Sequence, residues 1–129
     1  LHNPGQKIVY FVLNLNKRKK DIRNLIKQIE IIIIKFLKLY KIKSYADKEN
    51  IGIWVGDKKI AAIGIRVSNW VAYHGFSINI SNDLEHYKKI IPCGLNNEKI
   101  TSVKIESKNK ISNIESKLKK IFLKNLKNI

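Results

Sequence analysis

The fold of this chain is set mainly by residues 51–80, which read IGIWVGDKKIAAIGIRVSNWVAYHGFSINI. Residues 51–55 are rich in β-branched and aromatic side chains, which predicts a strand. Gly56-Asp57 is a two-residue turn signal, so a second strand is expected to follow directly. Ser68-Asn69 then breaks the pattern, and residues 71–80 predict a third strand. The stretch therefore predicts a meander of three strands.

The flanking segments add helices and a fourth long strand. Residues 7–14 form a continuous apolar run, which is typical of a strand buried on both faces. Asp21 is a credible N-cap for an amphipathic helix of about residues 22–41. A short helix is expected around residues 83–89. A second helical stripe near the C-terminus comprises Ile111, Ile114, Leu118, Ile121, Phe122 and Leu126. Helix, strand meander and helix in this order predict an α+β fold with a mixed sheet.

The 129 residues are enough for a single domain, 1–129. The longest purely aliphatic run, Ile31 to Ile34, is far too short to cross a bilayer. One cysteine allows no internal disulfide, which favours a reducing, cytoplasmic setting. Because the chain begins at Leu1 and contains no methionine, we expect it to be a piece of a longer protein or to have a processed or misassigned start.

The formal net charge of +16 raises the possibility of nucleic-acid binding. Against it, arginine is scarce, and arginine is the preferred residue for bidentate contacts with bases and phosphates. Lysine, isoleucine and asparagine are abundant together, which is typical of an AT-rich genome. We therefore expect no nucleic-acid partner, although a basic surface would steer an acidic protein partner.

The candidate chemistry centres on Cys93, the only cysteine, which lies between Pro92 and Gly94. A lysine such as Lys59, placed beside it, would favour the nucleophilic thiolate, and this pair suggests acyl transfer through a thioester. A buried cysteine and a solvated lysine are the commoner alternatives. His74 in mid-strand is about equally typical of a core residue and of a ligand contact. One cysteine and three scattered histidines fall short of a zinc site, and no glycine-rich phosphate loop is visible.

Several motifs, taken in order, resemble the lipoyl(octanoyl) transferases. They are HNPGQ at 2–6, GIWVG at 52–56, KIAAIGIR at 59–66, YHGF at 73–76, Asn79, Asp83-Leu84, PCG at 92–94 and Thr101-Ser102. The resemblance implies the fold of biotin and lipoate protein ligases and no cofactor. It implies transfer of an octanoyl group from octanoyl-acyl carrier protein to a lysine of lipoyl domains. The acceptors would be 2-oxoacid dehydrogenases and the glycine cleavage H protein.

The resemblance also implies roles for individual residues. Cys93 would form the acyl-thioester, and Lys59 would lower its pKa and relay protons. The substrate-binding residues would be Leu1, His2, Ala62, Ile63, Gly64, His74, Gly75, Phe76 and Ser77.

The chain departs from the family pattern at three places. Asn3 replaces a glycine, and Ser77 stands where a small apolar residue is usual. The family has further residues upstream, including Arg-Gly-Gly, and the resemblance implies that their strands would normally complete the sheet and the acyl pocket of this chain. We expect the chain alone to be poorly active and prone to aggregate. An inactive truncated remnant and an ATP-dependent lipoate or biotin ligase of the same fold remain alternatives.

Overall fold

The computed structural model describes residues 5–82 and 99–129. Its sheet contains β1 (Gln6–Asn14), β2 (Tyr45–Ala46), β3 (Ile53–Val55), β4 (Lys58–Ser68), β5 (Val71–Asn79) and β6 (Lys99–Ile100). The strand order is β1-β5-β4-β3-β2, with antiparallel neighbours, and β6 pairs in parallel with the start of β4. The helices are α1 (Ile22–Lys38), α2 (Val103–Glu106) and α3 (Ile114–Asn125). The α+β prediction with a mixed sheet is confirmed.

The meander follows the turn signals of the sequence. Gly56 has φ +61° and joins β3 to β4. The β4–β5 connection is also tight, because Asn69 and Trp70 have φ values of +51° and +63°. Two consecutive left-handed residues match the right-handed twist of the flanking strands. β4 accordingly runs to Ser68, the first residue of the predicted break.

Helix α1 begins as predicted, because the Asp21 side chain accepts a hydrogen bond of 3.0 Å from the Asn24 backbone N–H. It ends at Lys38, three residues before the predicted end. Lys41 has φ +59°, and the Ile42 N–H returns to the Leu37 carbonyl at 3.2 Å. This left-handed residue terminates the helix as a C-terminal cap does. The buried face of α1 comprises Leu25, Ile29, Ile32, Ile33, Phe36 and Leu37.

Helix α3 carries four residues of the predicted C-terminal stripe, whereas Ile111 precedes the helix and Leu126 follows its last residue. Its Phe122 ring packs on Phe11 of β1 with centroids 5.8 Å apart. Lys35 of α1 donates a hydrogen bond of 2.9 Å to the Asn125 side chain. Both helices and the strands therefore share one core. None of the described helices is both long and apolar enough to span a bilayer.

The prediction that residues 7–14 are buried on both faces is wrong. β1 is an edge strand that pairs only with β5 among the strands of the described sheet. Tyr10 and Val12 are 65% and 75% exposed, whereas Leu13 is buried. The apolar side chains of this run point to both faces of β1, and the described elements pack against only one of these faces. The helix expected at 83–89 and the Pro92-Cys93-Gly94 turn lie outside the described residues.

Candidate active site

Lys59 lies near the start of β4 and is half-buried between two other strands. It pairs with Trp54 of β3 on one side, and its Nζ lies 5.8 Å from the centre of the Trp54 ring. On the other side its carbonyl accepts a hydrogen bond of 2.9 Å from the Thr101 N–H, just after β6. The lysine backbone is thus fixed from both directions.

A β-bulge beside Lys59 alters the regular alternation of the strand. Ile53 pairs with Ala61, and Trp54 pairs with Lys59, so Ile60 is the extra residue on β4. Ile60 and Ala61 are both buried although they are neighbours in a strand. Bulges of this kind change the direction of a side chain and occur often beside active sites. Because of this register shift, the side chain of Lys59 does not follow the regular alternation of the residues after Ile60.

The two triplets predicted to bind substrate lie opposite each other. Antiparallel pairing of β4 and β5 joins Ala62 with Ser77, Ile63 with Phe76, and Gly64 with Gly75. Phe76 is buried, Ile63 packs against the core, and Ala62 and Gly64 are exposed. Alternation along the strands therefore leaves small residues on the face away from the core. This strip begins about 10 Å along β4 from Lys59, at three residues' distance.

Gly75 is required by the close approach of β1. A Cβ at this position would lie 1.9 Å from the Val9 carbonyl oxygen. Gly64 is different, because a Cβ there would meet no atom of the described residues within 4 Å. The two paired glycines therefore serve separate purposes: Gly75 permits strand pairing, and Gly64 leaves open space over the sheet.

His74 is exposed, so the core alternative for this residue is wrong. It has φ +70°, a left-handed conformation in the middle of β5. Its ring lies 4.8 Å from that of its neighbour Tyr73. In a regular strand the side chains of Tyr73 and His74 would point to opposite faces. The contact between their rings therefore coincides with the left-handed backbone of His74. Non-glycine residues in this conformation are uncommon and cluster at functional sites.

A buried hydrogen-bond network centred on Asn79 connects the ends of the described segments. The Asn79 Oδ1 accepts from the side chains of Gln6 and Asn82 at 3.1 and 3.3 Å. Its Nδ2 donates to the Thr101 carbonyl at 3.2 Å, and Thr101 in turn bonds Lys59 through the backbone. The motif signal at Asn79 and Thr101-Ser102 was visible in the sequence, but it gave no indication of this role.

An ion pair fixes β6 beside the β3–β4 turn. Lys99 Nζ lies 2.8 Å from the Asp57 carboxylate. The hydrogen bond and charge of Lys99 lower the pKa of Asp57, and those of Asp57 raise the pKa of Lys99. Both side chains are exposed, so solvent screens the pair and its contribution to stability is small.

Comparison with known proteins shows the family of this chain. The family model described as the lipoyl protein ligase A/B catalytic domain matches residues 1–127. The chain belongs to this family. It is 46% identical over 129 residues to an octanoyltransferase of Wolbachia pipientis wMel, covering 95% of this chain and 63% of that protein. It is 40% identical over 126 residues to that of Clostridium kluyveri, covering 94% and 54%.

The solved structures most relevant here share the fold of this catalytic domain. Lipoate-protein ligase A bound with ATP has a TM-score of 0.80 at 14% identity, covering 97% of this chain and 53% of that chain. The apo biotin protein ligase from Aquifex aeolicus has a TM-score of 0.72 at 17% identity, covering 95% and 53%. The predicted resemblance is confirmed in family and fold. The chain spans about half to about three fifths of the length of the curated relatives it matches.

The predicted site residues of this catalytic domain separate into two groups. Lys59, both triplets and His74 lie on the adjacent strands β4 and β5. Cys93, Leu1 and His2 lie outside the described residues, as does His86. That Lys59 lies beside Cys93 is therefore a prediction from the sequence, and the roles of all these residues remain predictions.

Two further features of the domain bear on ligand binding. A groove of about 970 Å³ lies between β1 and α3, lined in part by Tyr10, Phe11 and Phe122. None of the predicted site residues that the structure describes lines it. In residues 5–82 and 99–129, no three histidine, cysteine, aspartate or glutamate side chains are grouped in a way that could hold a metal ion.

Proposed function

We propose that this domain transfers an octanoyl group from octanoyl-acyl carrier protein to a lysine of lipoyl domains through a thioester on Cys93. The observation that carries the proposal is the in-register pairing of Ala62–Gly64 with Gly75–Ser77, on the strand that bears Lys59. The family match and relatives named octanoyltransferase support the same reaction.

In the first step, the Cys93 thiolate attacks the carbonyl carbon of the octanoyl thioester. A new C–S bond forms, the bond to the carrier sulfur breaks, and the carrier thiolate takes up a proton. One thioester replaces another, so the step is nearly balanced in free energy. A covalent intermediate of this kind divides one difficult transfer into two easier ones.

In the second step, the neutral amine of the acceptor lysine attacks the Cys93 thioester. A C–N bond forms, the C–S bond breaks, the amine loses a proton, and the cysteine returns as a thiolate. Amide formation from a thioester is downhill, so the reaction needs no ATP. Lys59 is proposed to stabilise the thiolate and to accept and return the proton.

The acyl chain is proposed to lie along the strip of small residues. Ala62 and Gly64 leave the backbone of β4 accessible on the face away from the core, and Ser77 flanks Ala62 across the sheet. Apolar contact with the chain would supply most of the binding free energy.

The partners follow from charge and from the reaction. A basic surface of +16 attracts an acidic carrier protein, which is the proposed donor. The proposed acceptors are the lipoyl domains of 2-oxoacid dehydrogenases and the glycine cleavage H protein. The single cysteine favours a reducing location, and a cytoplasmic setting is part of the proposal.

The test is octanoyl transfer to a purified lipoyl domain, followed by mass spectrometry of the acceptor. We expect slow transfer from octanoyl carrier protein without ATP for the chain alone, and none from the Cys93→Ala variant. Transfer that requires free octanoate and ATP would favour the ligase alternative. This alternative is tested because the chain shares its fold with lipoate-protein ligase A. Transfer by the Cys93→Ala variant would contradict the thioester. Absence of any transfer by the intact chain would favour the inactive remnant.

A further inference from the structure

The side chain of Lys59 lies across Gly52, at a point where any other residue would obstruct it. A Cβ at position 52 would lie 2.6 Å from Lys59 Cε and 2.9 Å from the Ala61 carbonyl oxygen. Gly52 also has φ +136°, a conformation that residues with a Cβ rarely adopt. The absent side chain of Gly52 therefore provides the space for the lysine methylenes.

The charged end of the same lysine lies over the ring of Trp54, 5.8 Å from its centre. The ring cannot turn freely, because its Nε1–H donates a hydrogen bond of 3.0 Å to the Asn50 carbonyl and Trp54 is only 8% exposed. A cation is attracted to the face of an indole more than to any other aromatic side chain. The ring thus gives a flexible four-carbon side chain a preferred direction.

We propose that Gly52 and Trp54 are positioning residues that orient the Lys59 amine for its work on the Cys93 thiol. This inference rests on the proposed function, because it requires Lys59 to act on that thiol. Three observations converge on it: the space at Gly52, the immobilised ring of Trp54, and the bulge at Ile60 that sets the direction of Lys59.

The chain contains a matched control for the lysine–indole contact. Lys20 Nζ lies 5.9 Å from the centre of the Trp70 ring, nearly the same distance. Trp70 forms the β4–β5 turn, at the opposite end of β4 from Lys59. Trp70→Leu therefore removes a lysine–indole contact of similar length, at a more exposed ring, without touching the proposed site.

The first experiment measures position without activity. NMR of the full chain labelled at lysine should show upfield ring-current shifts for the Lys59 methylenes nearest Nζ, and none for Lys58. The shifts should disappear in Trp54→Leu, persist in Trp54→Phe, and be unaffected by Trp70→Leu. Random-coil shifts for Lys59 in the unmodified chain would overturn the inference, even if no Trp54 variant folded.

The second experiment measures the pH profile of alkylation at Cys93, which is the only thiol. Loss of a cation–π contact reduces correct positioning by about two- to five-fold, so Trp54→Leu should slow alkylation near neutral pH by that factor. Trp54→Phe should restore most of the rate, Gly52→Ala should behave like Trp54→Leu, and Trp70→Leu should match the unmodified chain.

The two proposals fail in different ways. If Lys59→Ala slows alkylation and a folded Trp54→Leu does not, the positioning inference is wrong and the proposed function stands. If Lys59→Ala leaves the profile unchanged, the role of Lys59 in the proposed function is wrong, and the positioning inference is wrong with it. Thermal melts of each variant separate loss of positioning from loss of folding.

Discussion

Lys58 and Lys59 are neighbours in sequence with different surroundings. Lys58 is exposed, whereas Lys59 is half-buried beside Trp54. If Lys59 stabilises the Cys93 thiolate by one pKa unit, its removal reduces the thiolate fraction near neutral pH about ten-fold. We therefore expect Lys59→Ala to slow both alkylation of Cys93 and octanoyl transfer by about that factor, and Lys58→Ala to have little effect. Alkylation rates across pH measure this.

The contrast between the two lysines is the control. Equal slowing in both variants would indicate a general effect of positive charge rather than a specific lysine. An unchanged apparent pKa of Cys93 in Lys59→Ala would rule out thiolate stabilisation.

Two glutamates should respond to pH with opposite signs. Burial raises the pKa of Glu30 on α1 above 4.5, partly offset by Lys27. Just above pH 4.5, Glu30 therefore binds more protons in the folded state than in the unfolded state. Its contribution to the stability of the fold falls as pH rises above about 4.5. We expect Glu30→Gln to have a higher melting temperature than the parent at pH 7, with the difference vanishing at lower pH.

Glu115 provides the opposite case. A hydrogen bond and the charge of Lys7 lower its pKa below 4.5. Its contribution to stability is present above that value and is lost as pH falls. Glu115→Gln should therefore lower the melting temperature slightly at pH 7 and not at low pH, because the pair is exposed. The same sign for both variants would contradict this assignment.

Among the strands, the paired glycines Gly64 and Gly75 offer a direct test of the sheet. Gly75→Ala would place a Cβ 1.9 Å from the Val9 carbonyl oxygen, so it must separate β1 from β5. Overpacking of this kind costs about 1–3 kcal/mol or more. The added Cβ of Gly64→Ala meets no atom of the described residues within 4 Å, so the stability of this variant should be unchanged or slightly higher. Denaturant unfolding of both variants measures the difference.

The same pair separates stability from function. Gly64→Ala places a methyl group on the strip proposed for the acyl chain, so it should reduce octanoyl transfer while the domain remains folded. Full activity in a folded Gly64→Ala variant would argue against this location for the chain.

The strands were predictable where local signals act alone. Gly56-Asp57 predicted the β3–β4 turn, and Asp21 predicted the start of α1, because both depend on nearby backbone groups. The exposure of β1 was not predictable from its apolar run, since the sequence does not show which elements cover a strand. The end of α1 was missed because it depends on a left-handed lysine, Lys41, with no glycine signal.

The candidate site was predictable only in part. Once β4 and β5 form a tight hairpin, the alignment of Ala62–Gly64 with Gly75–Ser77 follows from antiparallel pairing. The bulge at Ile60 and the contact of Lys59 with Trp54 depend on how β3 meets β4, which no local pattern encodes. The Asn79 network joins residues far apart in sequence, so it too required the structure.

The charge of the whole chain predicts how it meets its partner. With a net charge of +16, association with an acidic carrier protein should slow about ten-fold or more as salt rises from low to high concentration. Stopped-flow association at several salt concentrations measures this. DNA binding should be weak and indifferent to sequence. Tight, sequence-selective binding to one duplex at physiological salt would instead support the nucleic-acid alternative.

The most informative measurement is the intact mass of the chain after incubation with octanoyl carrier protein alone. A thioester mechanism predicts a single octanoyl adduct, mapped to Cys93 and released by hydroxylamine. The adduct should be absent from Cys93→Ala and nearly absent from Cys93→Ser, because a hydroxyl is far less ionised than a thiol near neutral pH. An octanoylated acceptor formed with no adduct on Cys93, or an adduct that persists in Cys93→Ala, would contradict the proposed mechanism.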